Sequence, residues 1–277
     1  MGIILDMLTT AAILFTVATG LMIILGVMKL INFAHGAFLM VGGYTAYVVT
    51  QLGWNPWLAI PCAAIIGLLL GMVVEQIIVR PLYSRPLDAI LATWGLGIIL
   101  GQVVTIVFGR EVQFVETPIR GAVEFLGQSY SIYRLLLLGA GAAIGAALTA
   151  LLYFTRFGLN ARAVIMNEEL ARGLGIDSTR VRLLTFGLGA GLASMAGAMI
   201  TPLISVDPTM GLPWLVNSFM LVLVSGVSIP GLMIASLMLG GAQVVVSTYI
   251  SPILGGLTIV VLAAVILRIW PRGLAND

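Results

Sequence analysis

Apolar residues run almost unbroken through this chain, in blocks divided by proline, glycine or charge rather than alternating with polar positions. Six such blocks cover Leu8 to Met28, His35 to Leu52, Pro56 to Val79, Leu87 to Phe108, Ser131 to Phe154 and Thr179 to Leu203. Three more close the sequence: a short one at Leu212 to Ser225, then Pro230 to Tyr249 and Pro252 to Ile269. A bilayer takes about 20 apolar residues to cross, so the pattern predicts an all-α, polytopic membrane helix bundle of about eight or nine segments. The Leu212 to Ser225 block is too brief to cross alone and runs into Ser-Gly-Val-Ser-Ile-Pro-Gly, which reads as a half-helix turning back at a break.

Composition agrees with the pattern and leaves no room for a second domain. The chain has 277 residues, 60% of them hydrophobic and 9% charged, against about 25% charged in soluble domains. Residues 1–277 are therefore read as one transmembrane domain. The first block begins beside an acid and lacks a small-residue cleavage pattern, so it reads as a retained span. The chain's 33 glycines suit close helix packing; Gly141 with Gly145, and Gly187 with Gly191, have the small-xxx-small spacing of packing seams. The net charge of +2 comes from arginines between spans. Arg80 with Arg85, the cluster from Arg156 to Arg182, and Arg268 with Arg272 fall on one side if the segments alternate. The positive-inside rule makes that side cytoplasmic, with the N-terminus outside and the C-terminus inside. No nucleic-acid partner is needed to explain the charge. One cysteine, Cys62, and one histidine, His35, give neither an intrachain disulfide nor a metal site.

Two polar interruptions stand out. The stretch Gly26 to Tyr44 puts Lys29, Asn32 and His35 between two apolar runs, where polar groups must face protein or a water-filled path. Asn32 suits the N-cap of the helix that follows. The other is Arg156 to Arg182, which is too long for a tight turn. Arg162, Glu168, Glu169 and Arg172 fit a surface helix there, Gly173 and Gly175 can end it, and Asp177 can start the next element. Continued from about Asn160 to Leu174, that helix would align Arg162, Met166, Glu169 and Gly173 on one face, with Glu168 and Arg172 paired four apart. A solvated loop is the plain alternative. Ala37–Gly43 and Ala235–Gly241 also match as A-x-L-M-[VL]-G-G, a faint parallel repeat whose copies would both flank a pathway.

The runs GVMKLINFAHGAFLMVGGYTAYV, EQIIVRPLYSRPLDAILATWGLGIIL, ARAVIMNEELARGLGIDSTRVRLLTFGLGAGLASMAGAM and SFMLVLVSGVSIPGLMIASLMLGG, closed by RIWPRGL, resemble the permease family of ABC importers for branched-chain amino acids. The resemblance extends over nearly the whole chain in order, and departs from the family at GVSIPGLMIAS, which carries fewer glycines. It implies a second, homologous permease subunit, two cytoplasmic ATP-binding subunits and an extracytoplasmic solute-binding protein, in a bacterial inner membrane. It also implies that Asn160 to Asp177 is the coupling helix seated in an ATPase groove.

The residues themselves reach a compatible view through what is missing. Lys29 is the sole lysine and no phosphate-binding G-x-x-x-x-G-K-[ST] loop occurs, so ATP, the one cofactor the resemblance implies, is expected on partner subunits. Mid-span acids suited to proton coupling are absent, since Glu75 and Asp88 lie near span ends beside Arg80 and Arg85. The spans offer a solute only neutral polar groups, so the candidate pathway residues are Asn32, His35, Thr93, Trp94, Gln102, Asn217 and Ser218. Each could equally pack or cap. A passive channel would need no charged docking element, and an enzyme would need a nucleophile and base that do not converge in this sequence. A permease for urea or a short amide is the alternative within the same family.

Overall fold

The computed structural model describes residues 2–125, 128–271 and 273. Helix α1 (Gly2–Met28) enters the bundle and α2 (His35–Gln51) follows an extended break. A short 3-10 turn at Pro56–Leu58 leads into α3 (Ala59–Val74), which continues through a π turn (Glu75–Val79) and a second 3-10 turn (Arg80–Leu82). After α4 (Pro86–Phe108) comes a hairpin of β1 (Ala122–Phe125) and β2 (Gln128–Ser131), where the sequence suggests only loop. The rest are α5 (Ile132–Phe154), α6 (Arg156–Met166), α7 (Glu168–Gly173), α8 (Ser178–Ile204), α9 (Gly211–Ser225), α10 (Ile229–Tyr249) and α11 (Pro252–Ile269). Seven of the described helical stretches are long and apolar enough to cross a membrane. With 17 and 15 residues, α2 and α9 reach only about 25 and 22 Å, short of a hydrocarbon core of about 30 Å.

Helix α8 is the axis of the bundle, because its small residues let three neighbours approach to backbone contact. A methyl on Gly42 of α2 would meet the Ser194 carbonyl oxygen at 1.7 Å, and one on Gly197 would meet that of Leu39 at 1.9 Å. Gly187 and Gly191 face Met72, Leu68 and Ala64 of α3, while Gly20 of α1 abuts Gly189. Gly141 and Gly145 of α5 pack on Ala12 and Phe15. Both glycine pairs are thus packing seams, and dispersion over such close surfaces holds helices together where lipid offers no hydrophobic drive. Hydrogen bonds pin the seams: Ser194 Oγ donates to the Phe38 carbonyl at 2.7 Å and Tyr133 Oη to that of Met199 at 2.6 Å.

Two helix–break–half-helix units follow from the chain's path. Lys29 (φ 52°) opens the break between α1 and α2, and Ser205 (φ 71°) opens the one between α8 and α9. They are the only non-glycine residues with positive φ among those described, a conformation that needs surrounding support. Helices α1 and α8 lie antiparallel, as Gly20 and Ile24 against Gly189 show, so the two units point in opposite directions. The half-helix expected at Leu212 to Ser225 is therefore real, but its break precedes it, at residues 205–210, which begin paired with Gln113 of the loop after α4 and lead to Gly211 against Gly36. The later Gly-Val-Ser stretch is an end turn: Val227 lies level with Gly26 near the end of α1, and Ser228 Oγ caps α10 by accepting from Gly231 N–H at 3.1 Å. Sequence alone puts the break at the Gly/Pro cluster because such clusters make turns at any depth.

Helix ends sort onto two faces. Arg80, Arg85, Arg156, Arg162, Arg172, Arg180, Arg182 and Arg268 share the face where α1 ends and α8 begins; Arg110, Arg120 and Arg134 occupy the other. Arg272 lies outside the described residues. The expected continuous helix from Asn160 to Leu174 is not formed. Asn167 (φ −159°, ψ 104°) breaks it and caps α7, its Oδ1 accepting from Leu170 N–H at 3.0 Å. An asparagine side chain competes with helical backbone for that donor, which is why it starts helices better than it continues them. Asp177 caps α8 as expected, accepting from Arg180 N–H at 3.1 Å.

Candidate functional site

The two breaks meet head to head. A methyl on Gly36, at the start of α2, would lie 2.4 Å from the Gly211 carbonyl oxygen, and one on Gly211 would lie 2.1 Å from that of Gly36. Only glycine permits this backbone-on-backbone crossing. Beside it opens a cleft of about 300 Å³. Phe33, Gly36, Ala37 and Met40 form one wall, with Pro208, Thr209, Gly211, Leu212 and Leu215. Helix α4 forms the other, with Trp94, Gly97, Ile98, Gly101, Gln102 and Thr105. Phe33 closes the inner end, its ring 5.6 Å from Trp94 and 5.0 Å from Phe219 between centroids. Gln102, Thr105 and Thr209 bring polar groups toward the face opposite the arginines.

Of the sequence candidates, Trp94 and Gln102 line this cleft, and the others stand around it. Thr93 is buried and wires α4 to the first break, accepting from Phe33 N–H at 3.2 Å and donating to the Ile90 carbonyl at 3.0 Å. Asn32 is buried and accepts from Ala34 N–H at 3.0 Å. It caps the turn ahead of α2, whose own N-cap is Ala34. His35 is also buried, and because a carbonyl can only accept, its Nε2–H donates to Val17 at 2.9 Å, half-way along α1. Asn217 is half-buried on α9, and Ser218 is buried with no partner for its hydroxyl among the described residues. Phe33 and Gly36 fall within the polar interruption Gly26 to Tyr44 without standing out individually, while Thr209 and Gly211 lie outside both interruptions; in an apolar chain all four resemble ordinary packing. The two copies of A-x-L-M-[VL]-G-G differ in setting: Ala37 and Met40 reach the cleft, whereas Ala235 and Leu239 sit in the core and Gly240 packs on Ala11 and Leu14.

The second candidate surface is the α6–α7 element. Ala161, Val164 and Ala171 bury one side of it against Val27 and Val181. Its other side exposes Met166 (86%), Leu174 (74%) and Leu170 (61%), with Glu169 and Gly173 between them. Glu168 and Arg172 do pair, at 2.8 Å, and Arg162 lies 5.0 Å over the Tyr153 ring. Leu170 and Leu174 add to the expected set. The break at Asn167 turns α7 to a new direction, so a single helical face does not describe which groups are outward.

Broken helices meeting at mid-depth beside a cleft, within a bundle of membrane-spanning length, define a membrane transport protein. The chain matches the family described as branched-chain amino acid transport system / permease component over residues 3–269, and it belongs to that family. It is 29% identical to the high-affinity branched-chain amino acid transport system permease protein LivH of Salmonella typhimurium, covering 93% of this chain and 89% of that one. It is 28% identical to the LivH protein of Escherichia coli, with the same coverage, and 27% identical to the permease protein BraD of Pseudomonas aeruginosa, covering 92% and 90%. Among solved structures, PsaBC from Streptococcus pneumoniae in complex with Fab shares the fold, with a TM-score of 0.54, 16% identity, and 98% and 93% of the two chains covered. The protein is a multi-pass membrane permease subunit of the ABC-importer type.

Proposed function

We propose that the cleft is this subunit's share of a pathway for branched-chain or similarly small neutral amino acids. The observation that carries the reading is the cleft's lining: apolar Met40, Ile98, Leu212 and Leu215, aromatic Phe33 and Trp94, and a few neutral polar groups toward the mouth. Such a surface favours an aliphatic side chain over urea or a short amide, which would leave these walls without a matching partner. It also suits passage rather than tight retention. The arginine-rich face is cytoplasmic by the positive-inside rule, which puts the N-terminus outside and the C-terminus inside. On that face Met166, Leu170 and Leu174 form the apolar knob that a cytoplasmic ATP-binding subunit would cover. The complete importer would hold a homologous second permease, two such subunits and an external solute-binding protein, with energy supplied from outside this chain.

The test is reconstitution. Membranes from cells that express the chain natively are solubilised, the chain is purified with whatever holds to it, and the assembly is returned to vesicles. ATP-dependent leucine uptake, competed by isoleucine and valine and not by urea, is the expected result. Uptake competed by urea alone would reverse the solute assignment, and equilibration without ATP would favour a channel.

A further inference from the structure

On the arginine-rich face, contacts from α7 and from the turn ahead of α4 converge on Arg182, a residue of α8 that belongs neither to the cleft nor to the exposed knob. Its guanidinium bonds the Glu168 carboxylate at the first turn of α7. The same group sits over the Tyr83 ring, 4.4 Å from the centroid. Only 16% of the Arg182 side chain is exposed, so both contacts are shielded and stronger than surface pairs. Glu168 gives its other oxygen to Arg172 at 2.8 Å, and Arg172 Nε donates to Ser178 Oγ at 2.7 Å. On the far side, Tyr83 Oη donates to Glu75, which is buried at the start of the π turn. Burial, and then the Glu75 carboxylate, push the Tyr83 phenol well above its ordinary value, so it remains a donor.

We propose that Arg182 is a positioning residue that passes displacement of α7 to the cleft wall α4, through Glu168 on one side and the Tyr83 ring on the other; the proposal rests on the α6–α7 docking reading. Tyr83 stands just ahead of Pro86, the first residue of α4. The segment behind it is a π turn and a 3-10 turn, departures from the regular α ladder of the kind often found at functional hinges. Helix α4 itself buries only a stripe of Ala89, Thr93, Leu96 and Val104, so a push at its first turn can tilt it about that stripe. Tilting moves Trp94, Ile98 and Gln102 relative to the fixed crossing of Gly36 and Gly211. A static staple would use the same contacts, but it would affect folding and not the link between ATP hydrolysis and solute movement.

The experiment uses the complete importer in vesicles, with Cys62 replaced and spin labels at Leu52 and Val107, exposed residues near the outer ends of α2 and α4. ATP hydrolysis, leucine uptake and the label-to-label distance with and without nucleotide are measured for Arg182→Gln, Tyr83→Leu and Tyr83→Phe. Arg182→Gln and Tyr83→Leu should keep ATPase association and hydrolysis. Uptake per ATP should fall by about tenfold, within the range of coupling between sites, and the distance should cease to respond to nucleotide. Tyr83→Phe retains the ring beneath Arg182 and should stay within about threefold of the parent. If Arg182→Gln does not assemble, the contrast between Tyr83→Leu and Tyr83→Phe decides. Uptake per ATP and distance response unchanged in Tyr83→Leu would overturn the relay while leaving the docking reading intact. An ATP-binding subunit that does not associate with the parent chain through α6–α7 would overturn both.

Discussion

At the scale of single residues, the crossing of α2 and α9 depends on two missing side chains. Gly36→Ala would drive a methyl against the Gly211 carbonyl at 2.4 Å. Overpacking of this kind costs about 1–3 kcal/mol. The expected outcome is a chain that still inserts but moves solute at least about fivefold more slowly, the factor that the lower end of that cost gives when it is carried into the transport barrier. Gly95→Ala, with nothing near its Cβ, is the matched control and should leave uptake unchanged. The lining of the cleft was half legible in the sequence. Trp94 and Gln102 stand out in an apolar run because polar and aromatic groups are conspicuous there. Gly36 and Gly211 do not, in a chain with 33 glycines. Asn32 and His35 also look conspicuous, yet they serve the break's own geometry by bonding Ala34 and Val17.

At the scale of elements, span positions were readable to within a few residues, apart from the start of α1 at Gly2 instead of Leu8, because hydrophobic runs and their Pro, Gly and charge boundaries are a one-dimensional signal. What the signal does not carry is depth. Residues 205–210 contain only Asp207 as a charge, and nothing in their order says that they descend into the bundle before α9 begins. The split of the α6–α7 element was likewise hidden, since Asn167 is a helix former's neighbour in sequence and a cap only in the fold. Three outcomes test that element. Met166→Glu with Leu170→Glu should release the ATP-binding subunit in pull-down from solubilised membranes, because both exposed apolar groups become charged. Glu169→Lys, which leaves the apolar knob intact, should weaken association less. Asn167→Ala should cost about 1 kcal/mol through loss of the cap, read as increased hydrogen exchange at the first amides of α7.

At the scale of the whole molecule, the sorting of arginines onto one face makes an orientation test direct. With Cys62 replaced, a cysteine at Met166 should react with a membrane-impermeant maleimide only in inverted vesicles, and one at Phe114 only in intact cells. The opposite pattern would reverse the topology. Both sites are well exposed, so access and not burial decides the result. The crossing glycines have one more consequence, for how this transporter can change what it carries. One part of the cleft is main chain at its closest approach, where Gly36 and Gly211 leave mutation nothing to trim and no room to add. The wall across from it is made of α4 side chains on a helix with only a narrow stripe committed to the bundle. New solute preferences should therefore arise on α4 first: Ile98→Ala should shift competition toward bulkier aromatic amino acids, and selection for a new substrate should return to Trp94, Ile98 and Gln102 while the glycines stay fixed.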